Sequence, residues 1–284
     1  MNIISGKSRH AFIGTDTSTE KLIEIDETGK IVWEHYIGKT VFDVWMLPED
    51  HILYCHYGKG PSGAKIIDKQ GNVLSSYETE NEVFGCQPLE NGNYLVGELR
   101  QKCITEVNRH GEIVHKIPVY FDNDNLHEVM RSPRKLHDGN YTVVQPGLCK
   151  IIKYNNHGDI LWQANTRPDT FGIVEKENGN LVYTCIDGLG EIDETGREIW
   201  SLKPEDVPDI NIKWLLGIQL LDNGNYVCCN WLGHNHEKEG IPMFEVTPQK
   251  EIVWTCACQY ITENLANFQL LDTDRIKTCY RPMR

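Results

Sequence analysis

One turn signature, written four times, constrains this chain more than anything else in it. Glu90-Asn-Gly-Asn93, His137-Asp-Gly-Asn140, Glu177-Asn-Gly-Asn180 and Asp222-Asn-Gly-Asn225 each precede a short apolar run: Tyr94-Leu-Val, Tyr141-Thr-Val-Val, Leu181-Val-Tyr and Tyr226-Val-Cys. Asn-Gly and Asp-Gly supply the positive φ of a tight hairpin turn, so each marks a pair of antiparallel strands. Pro48-Glu-Asp-His51 and Asp272-Thr-Asp-Arg275 hold the same place with weaker turn chemistry. A second turn alternates with the first. Glu24-Ile-Asp-Glu-Thr-Gly29 leads into Lys30-Ile-Val-Trp33, and Glu191-Ile-Asp-Glu-Thr-Gly196 leads into Arg197-Glu-Ile-Trp200. The same frame recurs at Gly71, Gly111 and Gly158, and in altered form at Pro248-Gln-Lys250 before Ile252-Val-Trp254.

The unit is therefore strand a, tight turn, strand b, loop, strand c, tight turn, strand d, loop. Its period of roughly 40–50 residues is the length of one propeller blade. No segment keeps a 3.6-residue apolar period, so the chain reads as all-β. Sheets of this kind leave open edges unless the ring closes. The c–d pairs end in Trp33, Tyr77, Ile117, Trp162, Trp200 and Trp254, which predicts six four-stranded blades in a single β-propeller domain over residues 1–284. The inner strand Asn267-Phe-Gln-Leu-Leu271 is expected to close the ring by joining the N-terminal strands. Ala11-Phe-Ile-Gly and Arg275-Ile-Lys-Thr-Cys279 both qualify as b strands, which keeps a seven-bladed ring as the alternative.

Composition narrows the function classes. The formal net charge is −13, with basic residues scattered and outnumbered, which argues against a nucleic-acid partner. No stretch approaches the ~20 apolar residues of a membrane span. The first ten residues lack the apolar core of a signal peptide, so a cytoplasmic location is expected, or a periplasmic one if a leader was removed. Ten cysteines fall mostly in predicted strands and no Cys-x-x-Cys occurs, so they read as buried free thiols.

The blade has a polarity. The a–b and c–d turns are short and share one face; the d–a and b–c loops are long and share the other. Functional residues concentrate on variable loops held by a rigid scaffold, so the long-loop face is the expected ligand face. Strand a lines the central channel. Its second position is small or polar (Asp43, Gly85, Ser132, Gly172, Gly217, Asn267), as inner strands that crowd the axis require. Its fourth position holds Trp45, Gln87, Arg134, Val174, Gln219 and Gln269. The three glutamines bond either neighbouring blades or a ligand. Asn230-Trp-Leu-Gly-His-Asn-His236 is the richest loop: Trp231 offers a stacking surface, and His234 with His236 would hold a metal only if a third ligand arrived from another blade. His127, Arg131 and Arg134 are the candidates for a local basic pocket that receives a carboxylate or sulfate, against a reading in which they pair with Glu128 or nearby acids. The recurring tryptophans Trp33, Trp162, Trp200 and Trp254 are expected to fill gaps between blades.

The frames Gly-Cys-Gln-Pro-Leu-Glu-Asn-Gly-Asn-Tyr-Leu-Val at 85–96, Asn-Trp-Leu-Gly-His at 230–234 and Glu-Val-Thr-Pro-Gln-Lys-Glu-Ile-Val-Trp at 245–254 resemble bacterial PQQ-binding-like, or quinoprotein-like, propeller repeats. They are also similar to the propeller of arylsulfotransferases. The resemblance covers nearly the whole chain and specifies mostly strands and turns. The arylsulfotransferase likeness implies a histidine that accepts a sulfuryl group, assisted by another His and an Arg. His127, Arg131 and His234 are this chain's own candidates for those roles, not positions matched to that family's motif. No PQQ cofactor is expected, because quinoprotein dehydrogenases pair it with calcium ligands and a much longer chain. The leading expectation is a propeller that binds a small polar molecule or carbohydrate fragment at the channel mouth, through Asp43, Gln87, Arg134, Gln219, Trp231, His236 and Gln269. An enzyme of sulfuryl-transfer or lyase type using His127, Arg131 and His234, and a protein-interaction platform, are the competing readings.

Overall fold

The computed structural model describes residues 3–121 and 125–271. The turn expected at Asp272–Arg275 and the strand expected at Arg275–Cys279 lie outside the described residues. Six antiparallel blades form a six-bladed β-propeller, each blade ordered a-b-c-d. Blade 1 joins Leu265–Leu270 to Phe12–Asp16, Lys21–Ile25 and Ile31–Tyr36. Blade 2 is Thr40–Met46, Ile52–Tyr57, Ser62–Ile67 and Val73–Thr79; blade 3 is Val83–Pro88, Tyr94–Glu98, Cys103–Val107 and Ile113–Pro118. Blade 4 is Arg131–Lys135, Tyr141–Gln145, Lys150–Tyr154 and Ile160–Asn165; blade 5 is Ile173–Glu175, Leu181–Cys185, Gly188–Ile192 and Glu198–Leu202. Blade 6 is Trp214–Leu220, Tyr226–Trp231, Met243–Val246 and Ile252–Cys256. The chain divides into two compact units: residues 3–38 with 171–271 hold blades 1, 5 and 6, and residues 39–170 hold blades 2, 3 and 4.

Closure takes the expected form. The C-terminal inner strand pairs antiparallel with the N-terminal one, Phe12 opposite Leu270 and Thr15 opposite Asn267. The pattern of six rather than seven follows, since Phe12–Asp16 is strand b of the blade that Leu265–Leu270 completes. One strand is additional: Ile4–Gly6 lies outside Ile252–Cys256, so blade 6 has five strands. Three residues, none of them buried, carry too little period to announce themselves in sequence.

The turns show why the signature is needed. Gly92, Gly139, Gly179 and Gly224 all have φ of 80–85°. The preceding Asn or Asp accepts a hydrogen bond from the backbone N–H two residues on, at 2.9–3.1 Å in each of the four turns. In the inner strands the small second position also has a physical cause. A Cβ on Gly85 would lie 2.5 Å from Pro133 Cδ, one on Gly172 would lie 2.3 Å from Leu216 O, and one on Gly217 would lie 2.7 Å from Asn267 Oδ1. Each of those neighbours belongs to the inner strand of the next blade, so a side chain there would force adjacent blades apart. Trp254 is fully buried, and Trp200 donates its indole N–H to Pro248 O of the next blade at 2.9 Å.

Candidate functional site

Aligned on its first residue, strand b reads Phe12-Ile-Gly-Thr-Asp16, Ile52-Leu-Tyr-Cys-His56, Tyr94-Leu-Val-Gly-Glu98, Tyr141-Thr-Val-Val-Gln145, Leu181-Val-Tyr-Thr-Cys185 and Tyr226-Val-Cys-Cys-Asn230. The fifth residue is polar or a thiol in every blade, lies at the long-loop end, and is buried. The alignment was available in the sequence and is the signal that reading missed. Buried polar groups must find partners, and most of these find the loop that leads into strand a of their own blade. Asp16 accepts from the backbone N–H groups of Ser18, Thr19, Glu263 and Asn264. Asn230 accepts from Lys213 N at 2.8 Å and donates to Asn211 O and Ile241 O. Gln145 donates to Tyr120 O at 2.6 Å. Glu98 collects Tyr77, Thr79, Asn81 and Thr105, with Lys116 Nζ at 3.4 Å. Cys185 bonds instead within its own turn, to Asp187 and Gly188, and His56 differs again. Both its ring nitrogens are enclosed without a hydrogen-bond partner among the described residues, and burial, reinforced by Lys39 and Lys65, pushes it down to about 4. It is a neutral imidazole in the protein at neutral pH.

These pins hold the loops on which the candidates sit. In the unit of residues 39–170, Arg131 opens strand a of blade 4. Its guanidinium carbon stands 4.2 Å from the centre of the Phe84 ring and 5.7 Å from that of Phe42. Phe42, Tyr57 and Phe84 pack on one another with centroids 4.6–5.2 Å apart. His127, in the short helix Leu126–Val129, is exposed and lies 5.3 Å from Phe84. The aromatic faces give the cation an interaction of about 0.5–2 kcal/mol. They do not replace its hydrogen bonds: Nε and Nη1 are enclosed and have no partner among the described residues. Burial pushes Arg131 down to about 10, against the opposing pull of Tyr57 and Glu82, so it stays charged at neutral pH. Burial likewise raises the Tyr57 phenol, whose hydroxyl is bonded to Thr40.

The other expected residues in this unit are spoken for. Arg134 is buried, with Nη1 3.2 Å from Asp43 Oδ2 and donating to Cys86 O and Pro133 O, over the face of Trp45 at 5.2 Å. Asp43 also accepts from Cys86 N. The pair ties three inner strands together. Gln87 accepts from Lys135 N of the next blade at 2.7 Å. Glu128 accepts from Asn125 at 2.7 Å.

In the unit of residues 3–38 and 171–271, Gln219 accepts from Leu270 N at 3.0 Å, repeating the bond that Gln87 makes. Gln269 is fully buried in the closing strand, opposite Ile13. Trp231 donates its indole N–H to Thr17 Oγ1 at 3.3 Å and meets Trp214 and His234 edge to face, at 5.4 and 5.3 Å. His234 is exposed. His236 turns to Glu239, Nδ1 to Oε2 2.8 Å, and Asn235, which separates the two histidines, sits in the left-handed region at φ 69°. Among the described residues no group of three or more His, Cys, Asp or Glu side chains is placed to hold a metal ion.

Against solved structures, the chain is similar to a protein of unknown function from Bacteroides caccae, with a TM-score of 0.85 and 22% identity over 94% of this chain and 100% of that one. It is similar to a catalytically inactive virginiamycin B lyase from Staphylococcus aureus with quinupristin, with a TM-score of 0.61 and 14% identity over 89% of this chain and 98% of that one. A functionally unknown protein from Desulfotomaculum acetoxidans matches with a TM-score of 0.63 and 13% identity over 95% of this chain and 89% of that one. At these identities the likeness is one of fold. No family model matches the chain, and no curated protein matches it.

Proposed function

We propose that the protein binds a small polar molecule or carbohydrate fragment on its long-loop face, in the cage formed by Phe42, Tyr57, Phe84, His127 and Arg131. The observation that carries this reading is the enclosed guanidinium of Arg131, whose Nε and Nη1 reach no partner among the described residues. An unsatisfied donor costs about 1–3 kcal/mol, and a fold keeps such a group where a ligand completes it. The neighbouring buried cation, Arg134, gives its Nη1 to an acid and two carbonyls and leaves only Nε enclosed without a partner among the described residues, so the contrast, in Nη1, lies in the same unit. The channel residues Asp43, Gln87, Arg134 and Gln219 make interstrand bonds here, and they serve the reading as scaffold. A likeness of the repeat to PQQ-binding-like and arylsulfotransferase propellers supports the scaffold too, without assigning a ligand.

Binding is tested by following the melting temperature of the protein against a panel of organic acids, sulfate esters, sugars and amides. The expected outcome is a rise with at least one compound that disappears in Arg131→Gln and persists in Trp231→Ala. A rise lost only in the Trp231 variant would move the site to the other unit. A second reading, lyase or group-transfer chemistry with His127 as the proton-handling group, draws on the exposed imidazole beside the cation. Turnover of a bound compound that His127→Ala abolishes without weakening its binding would favour it.

A further inference from the structure

We propose that the cage takes a carboxylic acid as its monoanion, with a flat apolar body laid against the aromatic wall; this rests on the binding reading above. Three features select that class. The first is the donor set. Either bidentate fork of a guanidinium pairs Nη2 with Nε or with Nη1, and both of those nitrogens are unspent in Arg131. A carboxylate matches such a fork with two parallel hydrogen bonds. The second is the charge balance. Arg131 is the cation that stands over the Phe84 and Phe42 rings, and Glu82 faces it closely enough to act on it. Glu82 itself has an exposed partner in Arg100 at 3.4 Å. One cation with an acid nearby suits a single negative charge and opposes a phosphate dianion, which also loses more hydration on entering an apolar site. The third is shape. The half-buried rings of Phe42 and Tyr57 pack on the buried Phe84 beside the guanidinium, and the exposed His127 extends this aromatic wall toward solvent. A flat unsaturated body stacks there, whereas a short aliphatic acid leaves the wall uncovered.

The experiment compares benzoate, benzamide, acetate and phenyl phosphate by calorimetric titration at pH 7, on the wild-type chain and on Arg131→Met. Benzoate is expected to bind tightest. Benzamide, isosteric but neutral, should be weaker by about tenfold or more, the scale of a charge-assisted bond lost. Acetate and phenyl phosphate should both fall below benzoate. Arg131→Met should bring benzoate down to the level of benzamide, while the ligand-free variant melts at or above the wild type, because a cation whose enclosed Nε and Nη1 have no partner among the described residues has been exchanged for an apolar chain. Phenyl phosphate binding more tightly than benzoate, or benzamide binding equally, would overturn the carboxylate assignment. Failure of all four probes would also overturn it, and the melting temperature then decides the fate of the wider reading. If Arg131→Met still melts at or above the wild type, the cage remains a ligand site for another class. If it melts well below, Arg131 is a structural cation and the binding reading goes as well.

Discussion

Two loop clusters of this propeller bury a charge at the same end of the blade, and they treat it in opposite ways. In the unit of residues 3–38 and 171–271, the Asp16 carboxylate collects four backbone N–H groups, two from its own turn and two from the loop before Leu265–Leu270. In the unit of residues 39–170, the Arg131 guanidinium lies on aromatic rings with two nitrogens unspent. The buried Asp16 carboxylate and the enclosed Nε and Nη1 of the half-buried Arg131 are all withdrawn from water, so the difference is not in the enclosure of these atoms. It lies in whether the chain supplies the missing partners. Where it does, the charge is part of the scaffold and holds a loop; where it does not, donors are left over, and on the proposed reading a ligand takes them. Exposed histidines and a tryptophan made the loop Asn230–His236 look richer in sequence, yet Trp231 and His236 are already engaged by Thr17 and Glu239.

The largest effect expected from this contrast is at Asp16. Asp16→Ala strands four N–H groups at once, and at about 1–3 kcal/mol for a stranded group, partly relieved by water, the loss should be near 3 kcal/mol. A urea titration would show it as a lowered midpoint. Binding in the Arg131 cage should survive under conditions where the variant is folded. An unchanged midpoint would mean that the saturated cluster is not the scaffold element described here, and the comparison would collapse.

How much of this was legible beforehand divides along the same line. The blade count, the strand order and the closing strand followed from turn chemistry and period, because Asn-Gly and Asp-x-x-Gly turns act over a few residues and leave their mark locally. The small second position of strand a was legible too, as steric crowding needs only a missing Cβ. The role of Gln87 and Gln219 was open between two readings, and the bonds to Lys135 N and Leu270 N favour the interblade one. The cage was half visible: His127 and Arg131 were singled out, but Phe42, Tyr57 and Phe84 come from two other blades, and nothing local in the chain says that they converge. The partner of Arg134 is likewise 91 residues away at Asp43, a separation at which sequence carries no pairing signal.

Another buried carboxylate sharpens the contrast through pH. Glu245 in blade 6 accepts from His10 Nε2 at 2.9 Å and from Asn225 Nδ2 at 2.6 Å, while His10 packs edge-on against Trp254. Burial alone would raise Glu245; the bonds from His10, Asn225 and Ser8 outweigh it and hold the carboxyl at about 2, below its ordinary 4.5. A carboxylate depressed on folding contributes stability that is fully present above its unfolded value and is lost as pH falls through the folded one. The wild type should therefore lose stability from about pH 4.5 toward 2. Glu245→Gln should be less stable than the wild type at pH 7 and flatter across that acid window. Parallel pH profiles for the two proteins would show that Glu245 is not the satisfied charge described.

The smallest effect tests whether turn chemistry sets stability as well as fold. The turn of blade 2 carries Glu49 and Asp50 at φ 63° and 58°, where the corresponding turn of blade 3 has Asn91 and Gly92. Both turns are closed by the same bond across the strand ends, Leu47 N to His51 O at 2.7 Å and Leu89 N to Asn93 O at 2.8 Å. Only the first places two ordinary L-residues in the left-handed region. Side chains there clash with the following carbonyl, and Asn-Gly is the pair that suits two successive positive φ values. Both residues are exposed, so replacing them disturbs no packing. Changing Glu49→Asn together with Asp50→Gly should stabilise the protein by about 1 kcal/mol, the backbone strain relieved less the entropy that a new glycine costs. The reverse experiment, Gly92→Ala, should cost at least as much, because the added Cβ meets the Arg109 guanidinium at 2.5 Å and the φ of 80° stays unfavourable. If the blade 2 double variant were no more stable than the wild type, then closure by the neighbouring strands, rather than turn chemistry, would set what each hairpin contributes.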